Sequence, residues 1–220
     1  MESQICPGND PDFGLIETFG YVPGQGVARL GLHLARLERS ARVFGIACPM
    51  AAVRDLIADL SGDRPLRCRL TLARDGALDL RTGPMPPRVD RWRFAIATDR
   101  LDAGDRFLRH KTTRRALYDR IRAGLPSGLD EMVFLNHRGE LCEGTISTVA
   151  ITTADGARLT PPLSSGCLPG VCRQSLLDAG QLQEAVLTLG DLACAREIQL
   201  MNALRGVIKA TWVRQDVRQD

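Results

Sequence analysis

The sequence predicts an α+β fold in two domains, on three observations. Strand-like and helix-like segments come in mixed runs, not in a regular strand–helix–strand rhythm, which argues against a doubly wound parallel sheet. Residues 83–90 (GPMPPRVD) carry three prolines and no periodicity, and the pattern restarts after them, so a linker is expected between a small N-terminal domain, 1–85, and a larger C-terminal one, 91–220. With 220 residues, 44% hydrophobic and 25% charged, the chain can bury a core without disulfides.

The elements follow in order. Residues 14–21 (GLIETFGY) read as a short strand ended by the Pro23-Gly24 turn. Leu34, Leu37, Ala41 and Phe44 fall at helical spacing and predict a helix over 33–44; Val53, Leu56, Ile57 and Leu60 do the same over 49–60. Residues 66–73 alternate as a half-buried strand, and Asp75-Gly76 returns the chain through 77–81 as its hairpin partner. Beyond the linker, strands are expected at 92–98, 131–136, 145–152 and 157–160, with a helix from about 113 to 123. A Gly/Pro loop at 166–170 leads into a helix that Gly180 would cap, and strands near 184–189, 197–202 and 207–212 close the chain.

Composition removes several classes. The net charge of +3 is modest, and the basic residues are interleaved with acids instead of forming a stripe, so no nucleic-acid partner is expected. No run of 18 apolar residues exists and the first ten residues lack a basic-then-apolar order, so neither a membrane span nor a secretory leader is expected, and the cytoplasm is the expected home. Seven cysteines without a CxxC pair, and three widely spaced histidines, argue against a metal site or a disulfide framework. Only two of the 29 basic side chains are lysines, Lys111 and Lys209, so a nucleophilic lysine has two candidates.

Four stretches carry chemistry: Lys111 in FLRHKTTRRALYD, Glu143 in GELCEGTISTV, the loop GCLPGVCR at 166–173, and EIQLMNALRG at 197–206. Pyridoxal phosphate needs a lysine to bond its aldehyde, a carboxylate to keep its ring nitrogen protonated, and backbone N–H groups at a helix start for its phosphate. Lys111, Glu143 and the Gly170-Val171-Cys172 turn could supply these. Taken singly, such features are most often a surface lysine, a solvated glutamate and an ordinary turn.

In combination they resemble the class IV aminotransferase family, the pyridoxal-phosphate enzymes that include branched-chain and D-amino acid aminotransferases and 4-amino-4-deoxychorismate lyase. GLIET at 14–18 resembles the family's F-E-T strand, HLARLERS at 33–40 its HLxRLxxS helix, ELCEGTIST its EGTxSN segment, and LTPPLSSGCLPGVCR its TPPLxxGxLPGxTR loop. Lys111 and Glu143 stand 32 residues apart, close to the family's spacing. The resemblance implies the two-domain D-amino acid aminotransferase-like fold, a small N-terminal α/β domain beside a larger domain with a barrel-like sheet, and a homodimer acting on a small molecule.

It also implies roles. Lys111 would hold pyridoxal 5′-phosphate and move protons, Glu143 would face the ring nitrogen, and Arg36 would bind the phosphate with backbone N–H groups of Val171 and Cys172 and of Ala203 and Leu204. Lys209 falls in a strand and is rejected. MNALRG at 201–206 resembles the N-[AS]-L segment of the aminodeoxychorismate lyases, which convert 4-amino-4-deoxychorismate to 4-aminobenzoate, a folate precursor, and pyruvate. Thr18 is then a proton donor or substrate contact, and Asn202, Arg205 and Arg69 are substrate-binding candidates. The family's threonine after G-[IV] is Cys172 here, its asparagine in EGTxSN is Thr148, and its first strand and GDG turn have no counterpart. A branched-chain or D-amino acid aminotransferase, and a cofactor-binding relative without catalysis, stay open as alternatives.

Overall fold

The computed structural model describes residues 13–214, so the N-terminal decapeptide and Cys6 lie outside the described residues. The chain forms two units. One runs through Pro87 and takes in His110–Arg114; the other comprises Arg88–Arg109 and the chain from Arg115 on.

The first unit holds β1 (Leu15–Val22), β2 (Gly26–Val27), α1 (Leu30–Phe44), α2 (Met50–Ala58), β3 (Leu66–Leu72) and β4 (Leu78–Pro84). Its antiparallel sheet has the order β2-β1-β3-β4, with Leu15 opposite Leu72 and Thr18 opposite Arg69. Helix α1 starts three residues before the expected His33, because Arg29 takes a left-handed φ of 58° and turns the chain from β2 into the helix. Gly45, also left-handed, ends it. Its buried face holds Leu34, Leu37, Ala41 and Phe44, as the periodicity requires, and also the polar His33, Arg36 and Ser40.

The separate segment His110–Arg114 belongs with this unit through backbone pairing. Strand β2 covers only Tyr21 and Val22 on the outer edge of β1. At the start of that edge Ile16 N donates to Lys111 O at 2.8 Å and Thr113 N donates to Gly14 O at 2.8 Å. The pairing keeps residues 112–114 out of a helix, so the helix expected from about 113 starts at Ala116.

The second unit holds β5 (Arg91–Leu101), α3 (Ala116–Ala123), β6 (Glu131–Asn136), β7 (Leu141–Gly144), β8 (Thr148–Thr152), β9 (Arg158–Thr160), α4 (Val171–Asp178), β10 (Gln183–Glu184), α5 (Leu189–Cys194), β11 (Glu197–Asn202) and β12 (Gly206–Trp212). Its strands pair in the order β10-β9-β8-β11-β12-β5-β6-β7, and a further β7–β8 pairing closes six of them into a barrel. The closing pair is Glu143 opposite Thr148. Closure removes the free edge of β7, while β9 and β10 extend the sheet outside the ring. Trp92, Phe94, Val133, Leu135, Leu141, Val149, Ile151, Leu200 and Ile208 form its main apolar cluster.

Two expectations are corrected here. The strand expected over 145–152 begins only at Thr148, as β8; residues 145–147 form a turn, and β7 precedes that turn as a strand that was not expected. The strand expected over 184–189 is the two-residue β10, and Thr188 instead opens α5 with a reciprocal cap: its side chain accepts from Asp191 N and its own N–H donates to Asp191. Gly180 ends α4 as expected: at a left-handed φ of 66°, just past Ala179, its N–H donates to Leu177 O and the next N–H, of Gln181, to Leu176 O. Cys68, Cys142, Cys167 and Cys172 are buried free thiols, Cys48 is half-buried and Cys194 exposed. No described helix is long and apolar enough to cross a membrane.

Candidate active site

In the barrel unit the site is built around Glu143, on the strand that closes the barrel. Its side chain is 8% exposed. One carboxylate oxygen accepts from Tyr118 Oη of α3 at 2.7 Å, the other from Leu168 N at 2.9 Å. A carboxylate this far from water needs such partners. Burial, then the Glu143 charge and hydrogen bond, raise the Tyr118 phenol, which therefore stays a donor. Burial and the same carboxylate push the Cys167 thiol up to about 12 and raise Cys142 as well, so neither is a reactive thiolate at neutral pH.

Beside Glu143 lies the start of α4. Gly170 is its cap residue, in extended conformation, and no side chain caps the helix. Its first-turn N–H groups are therefore offered without a protein side chain in the cap position, the arrangement that suits an anion. A Cβ on Gly170 would stand 2.8 Å from Thr148 Oγ1, so only glycine lets the helix start come this close to β8. Val171 and Cys172 are buried. Cys172 packs with Ala150, Leu182 and Met201, so its side chain fills the core.

The third part is the hairpin between β11 and β12. Asn202, expected to meet substrate, builds the hairpin: its Oδ1 accepts from Leu204 N at 3.1 Å and Arg205 N at 2.8 Å, and its Nδ2 donates to Ile146 O at 3.2 Å. Leu204 N, expected at the phosphate, is thus given to Asn202, while Ala203 sits at the hairpin tip. The Arg205 guanidinium lies over the Trp92 ring at 5.5 Å. Its Nε is buried and meets no acceptor among the described residues. Burial, then the nearby Arg122 charge, lower its pKa. The barrel unit thus gathers Glu143, the α4 start and the Asn202 hairpin around one turn, Thr145–Ser147.

In the first unit, Arg36 is 6% exposed and forms a fork with Glu17: Nε donates to Oε1 at 2.8 Å and Nη2 to Oε2 at 2.6 Å. His33 Nδ1 lies 2.6 Å from Glu17 Oε2. Burial alone would raise the Glu17 carboxyl, but the Arg36 charge and the hydrogen bonds from His33 and Arg36 outweigh it and hold it at about 2, below the usual 4.5. The stabilisation this trio gives is complete above pH 4.5 and is lost as pH falls through about 2. Glu17→Gln should therefore flatten the fall in melting temperature between pH 4.5 and 2, measured by scanning calorimetry; a variant as acid-sensitive as the parent would contradict the pairing.

Thr18 points to the other face of β1 from Glu17 and has Arg69 of β3 directly opposite, so the structure brings these two candidates together. Lys111 is half-buried, with its backbone held to β1. Lys209 has a side chain 59% exposed and pairs with Glu197 at 3.1 Å on the next strand, a surface ion pair. Sequence reasoning missed Glu17, His33 and Tyr118. The signal for the first two was polar residues on the apolar faces of 14–21 and 33–44; for Tyr118 there was none.

Comparison with known proteins places the chain in a family. Residues 14–212 match the family model described as amino-transferase class IV. A solved structure from Mesorhizobium loti, provisionally described as an amino-acid aminotransferase, is 40% identical, covers 92% of this chain and 100% of its own, and superposes with a TM-score of 0.88. The aminodeoxychorismate lyase of Saccharomyces cerevisiae is 32% identical over 138 residues, 54% of this chain; the match spans only 37% of that relative's length. A provisionally assigned aminodeoxychorismate lyase of Schizosaccharomyces pombe is 26% identical over 198 residues, 83% of each chain. The family match runs through both units, from the β1 edge that anchors Lys111 to the end of the barrel, and the chain belongs to the amino-transferase class IV family.

Proposed function

We propose that this protein is a lyase that converts 4-amino-4-deoxychorismate to 4-aminobenzoate and pyruvate. As a class IV family member it is a pyridoxal 5′-phosphate-dependent enzyme. The residues present fit that group. Glu143 is a buried carboxylate able to face a ring nitrogen. The α4 start is uncapped and walled by Gly170, where a Cβ has no room, so it can take a phosphate. Bound there, the cofactor supplies an electron sink for the carbon that carries the substrate amine.

The chain's residues do the rest. The Lys111 amine would hold the cofactor through its aldehyde carbon; once the substrate amine has taken its place there, the freed Lys111 amine would take the proton from C4 of the substrate. Glu143 keeps the ring nitrogen charged. Backbone N–H groups at Val171 and Cys172, with Arg36, hold the phosphate. Thr18 and Arg69, adjacent on one sheet face, and Arg205 meet substrate hydroxyl and carboxylate groups. The C3–O bond would then break, the enolpyruvyl group leaving with a proton returned by Lys111 or Thr18 to become pyruvate, and the ring left aromatic drives the reaction forward. In this reading the protein works as a homodimer on a small molecule, with no nucleic-acid or membrane partner, an assembly that sedimentation velocity reads directly.

The observation that carries the lyase reading is the hairpin that Asn202 folds around Leu204 and Arg205, whose N-A-L segment resembles the N-[AS]-L segment of aminodeoxychorismate lyases. A second reading, an amino-acid aminotransferase, is favoured by the likeness to the Mesorhizobium protein. One assay separates them. Protein loaded with pyridoxal 5′-phosphate should release pyruvate and 4-aminobenzoate in equal amounts from 4-amino-4-deoxychorismate with no 2-oxo acid added. Turnover that depends on an added 2-oxo acid overturns the lyase in favour of the aminotransferase.

The phosphate site makes its own prediction. Arg36→Ala would strand the buried Glu17 carboxylate and unfold the unit, at a cost of about 3–5 kcal/mol. Arg36→Lys keeps the charge but not the fork, and should weaken cofactor binding by roughly tenfold or more. Cys172→Ser changes no backbone donor and places a hydroxyl in an apolar cluster, so it should lower stability by about 1 kcal/mol and leave cofactor affinity within about twofold. Absorbance titration of apoprotein decides both; a Cys172→Ser protein that loses the cofactor would refute the backbone account.

A further inference from the structure

The turn that joins β7 to β8 has almost no polar group left to chance. Its organiser is Glu131, the first residue of β6, which is 0% exposed. Glu131 Oε1 accepts from Met132 N and Thr145 N, each at 3.0 Å, and from Thr145 Oγ1. Its Oε2 accepts from Ile146 N at 3.2 Å and Ser147 Oγ at 2.8 Å. Arg122 Nη1 lies 3.6 Å from Oε1 and donates to Thr145 Oγ1 at 3.2 Å. Arg115 Nη2 donates to Thr145 O at 2.7 Å. A Cβ on Gly144 would stand 2.9 Å from the Glu131 carboxylate, so Gly144 is required for the carboxylate to enter the turn.

What this turn carries is the site. Glu143 precedes it and Thr148 follows it, and the two face each other as the pair that closes the barrel. Thr148 Oγ1 is the atom that crowds Gly170 at the α4 start. Ile146 O anchors Asn202, which in turn sets the backbone of Leu204 and Arg205.

We propose that Glu131 is a positioning residue: by gathering the donors of residues 145–147 on one buried carboxylate, it fixes Glu143 for the cofactor ring and Thr148 for the phosphate cup. The inference rests on the pyridoxal-phosphate reading of this site. It accounts for the whole E-G-T-x-S segment, since Glu143 serves the ring while Gly144, Thr145 and Ser147 seat Glu131. A carboxylate is required because all five contacts are donors. A glutamine of the same shape presents an NH2 group to at least one backbone N–H of the turn, and two donors then face each other.

The test is Glu131→Gln, with Leu192→Ala as a control. Leu192 is buried in the barrel's main apolar cluster and is no part of the site, so its loss reports general destabilisation. Glu131→Gln should bind pyridoxal 5′-phosphate about tenfold or more weakly in absorbance titrations of apoprotein, the order expected when hydrogen bonds to a charged group are lost. The pH titration of the bound cofactor's visible band should also shift from that of the parent. Leu192→Ala should bind within about twofold and keep the parent titration, although it melts lower. If Glu131→Gln does not fold, Ser147→Ala, which removes one donor to Oε2, should weaken binding by about threefold or more. A folded Glu131→Gln or Ser147→Ala protein with parent affinity and parent band overturns the inference alone. Parent protein that takes up no pyridoxal 5′-phosphate overturns the functional reading, and the inference with it.

Discussion

Lys111→Ala is expected to lower pyruvate release by on the order of 10³-fold or more, because one amine both holds the cofactor and moves the proton. The fold should survive. Lys111 is tied to β1 by its backbone, with Ile16 N donating to its carbonyl at 2.8 Å, and that tie is indifferent to the side chain. The companion variant is Lys209→Ala. Lys209 pairs with Glu197 on the barrel surface, so its removal should change turnover by no more than about twofold. With two lysines in the chain, the pair of variants is exhaustive: loss at Lys209 with retention at Lys111 would reverse the assignment.

The second large effect is at Glu143. Glu143→Gln should fold and retain the cofactor, because the amide can keep an oxygen on Leu168 N and turn its NH2 toward the Tyr118 oxygen. Its turnover should fall by on the order of 10²-fold, since a neutral side chain no longer favours the protonated ring and the electron sink weakens. Measuring kcat beside cofactor affinity separates the two effects. Near-parent kcat at full cofactor occupancy would show that Glu143 does not serve the ring.

The sequence made the local parts of this molecule readable and left the non-local ones hidden. Helix α1 announced itself by Leu34, Leu37, Ala41 and Phe44, and the β3–β4 hairpin by its alternation around Asp75-Gly76. The barrel-like sheet came from the family resemblance alone; the strand pairs that close it were not visible in the residues, since Lys209 of β12 pairs in parallel with Arg91 of β5, and Glu143 with Thr148 across a three-residue turn. That turn was read as strand because Thr145, Ile146 and Ser147 suit a strand locally; the buried Glu131 carboxylate overrides the propensity. Helix α5 had its signal in Thr188 and Asp191, a capping box three residues apart, but the apolar run Ala185–Leu187 drew the reading toward a strand.

The candidate residues divide in the same way. Lys111, Glu143, Arg36 and the Gly170 turn were singled out because motif order and spacing marked them. Their partners were not, since Glu17, His33, Tyr118 and Glu131 act through tertiary hydrogen bonds that no spacing encodes. Asn202 was marked as a substrate residue, and its side chain is instead spent on the hairpin backbone and Ile146 O.

Borohydride reduction of the cofactor-loaded protein, followed by peptide mapping, tests the central claim most directly. Reduction freezes the bond between cofactor and protein as a stable secondary amine on whichever lysine carries it. The account predicts one phosphopyridoxyl group per chain on the peptide that contains Lys111. A label on Lys209, or a reduced protein that carries none, would contradict it.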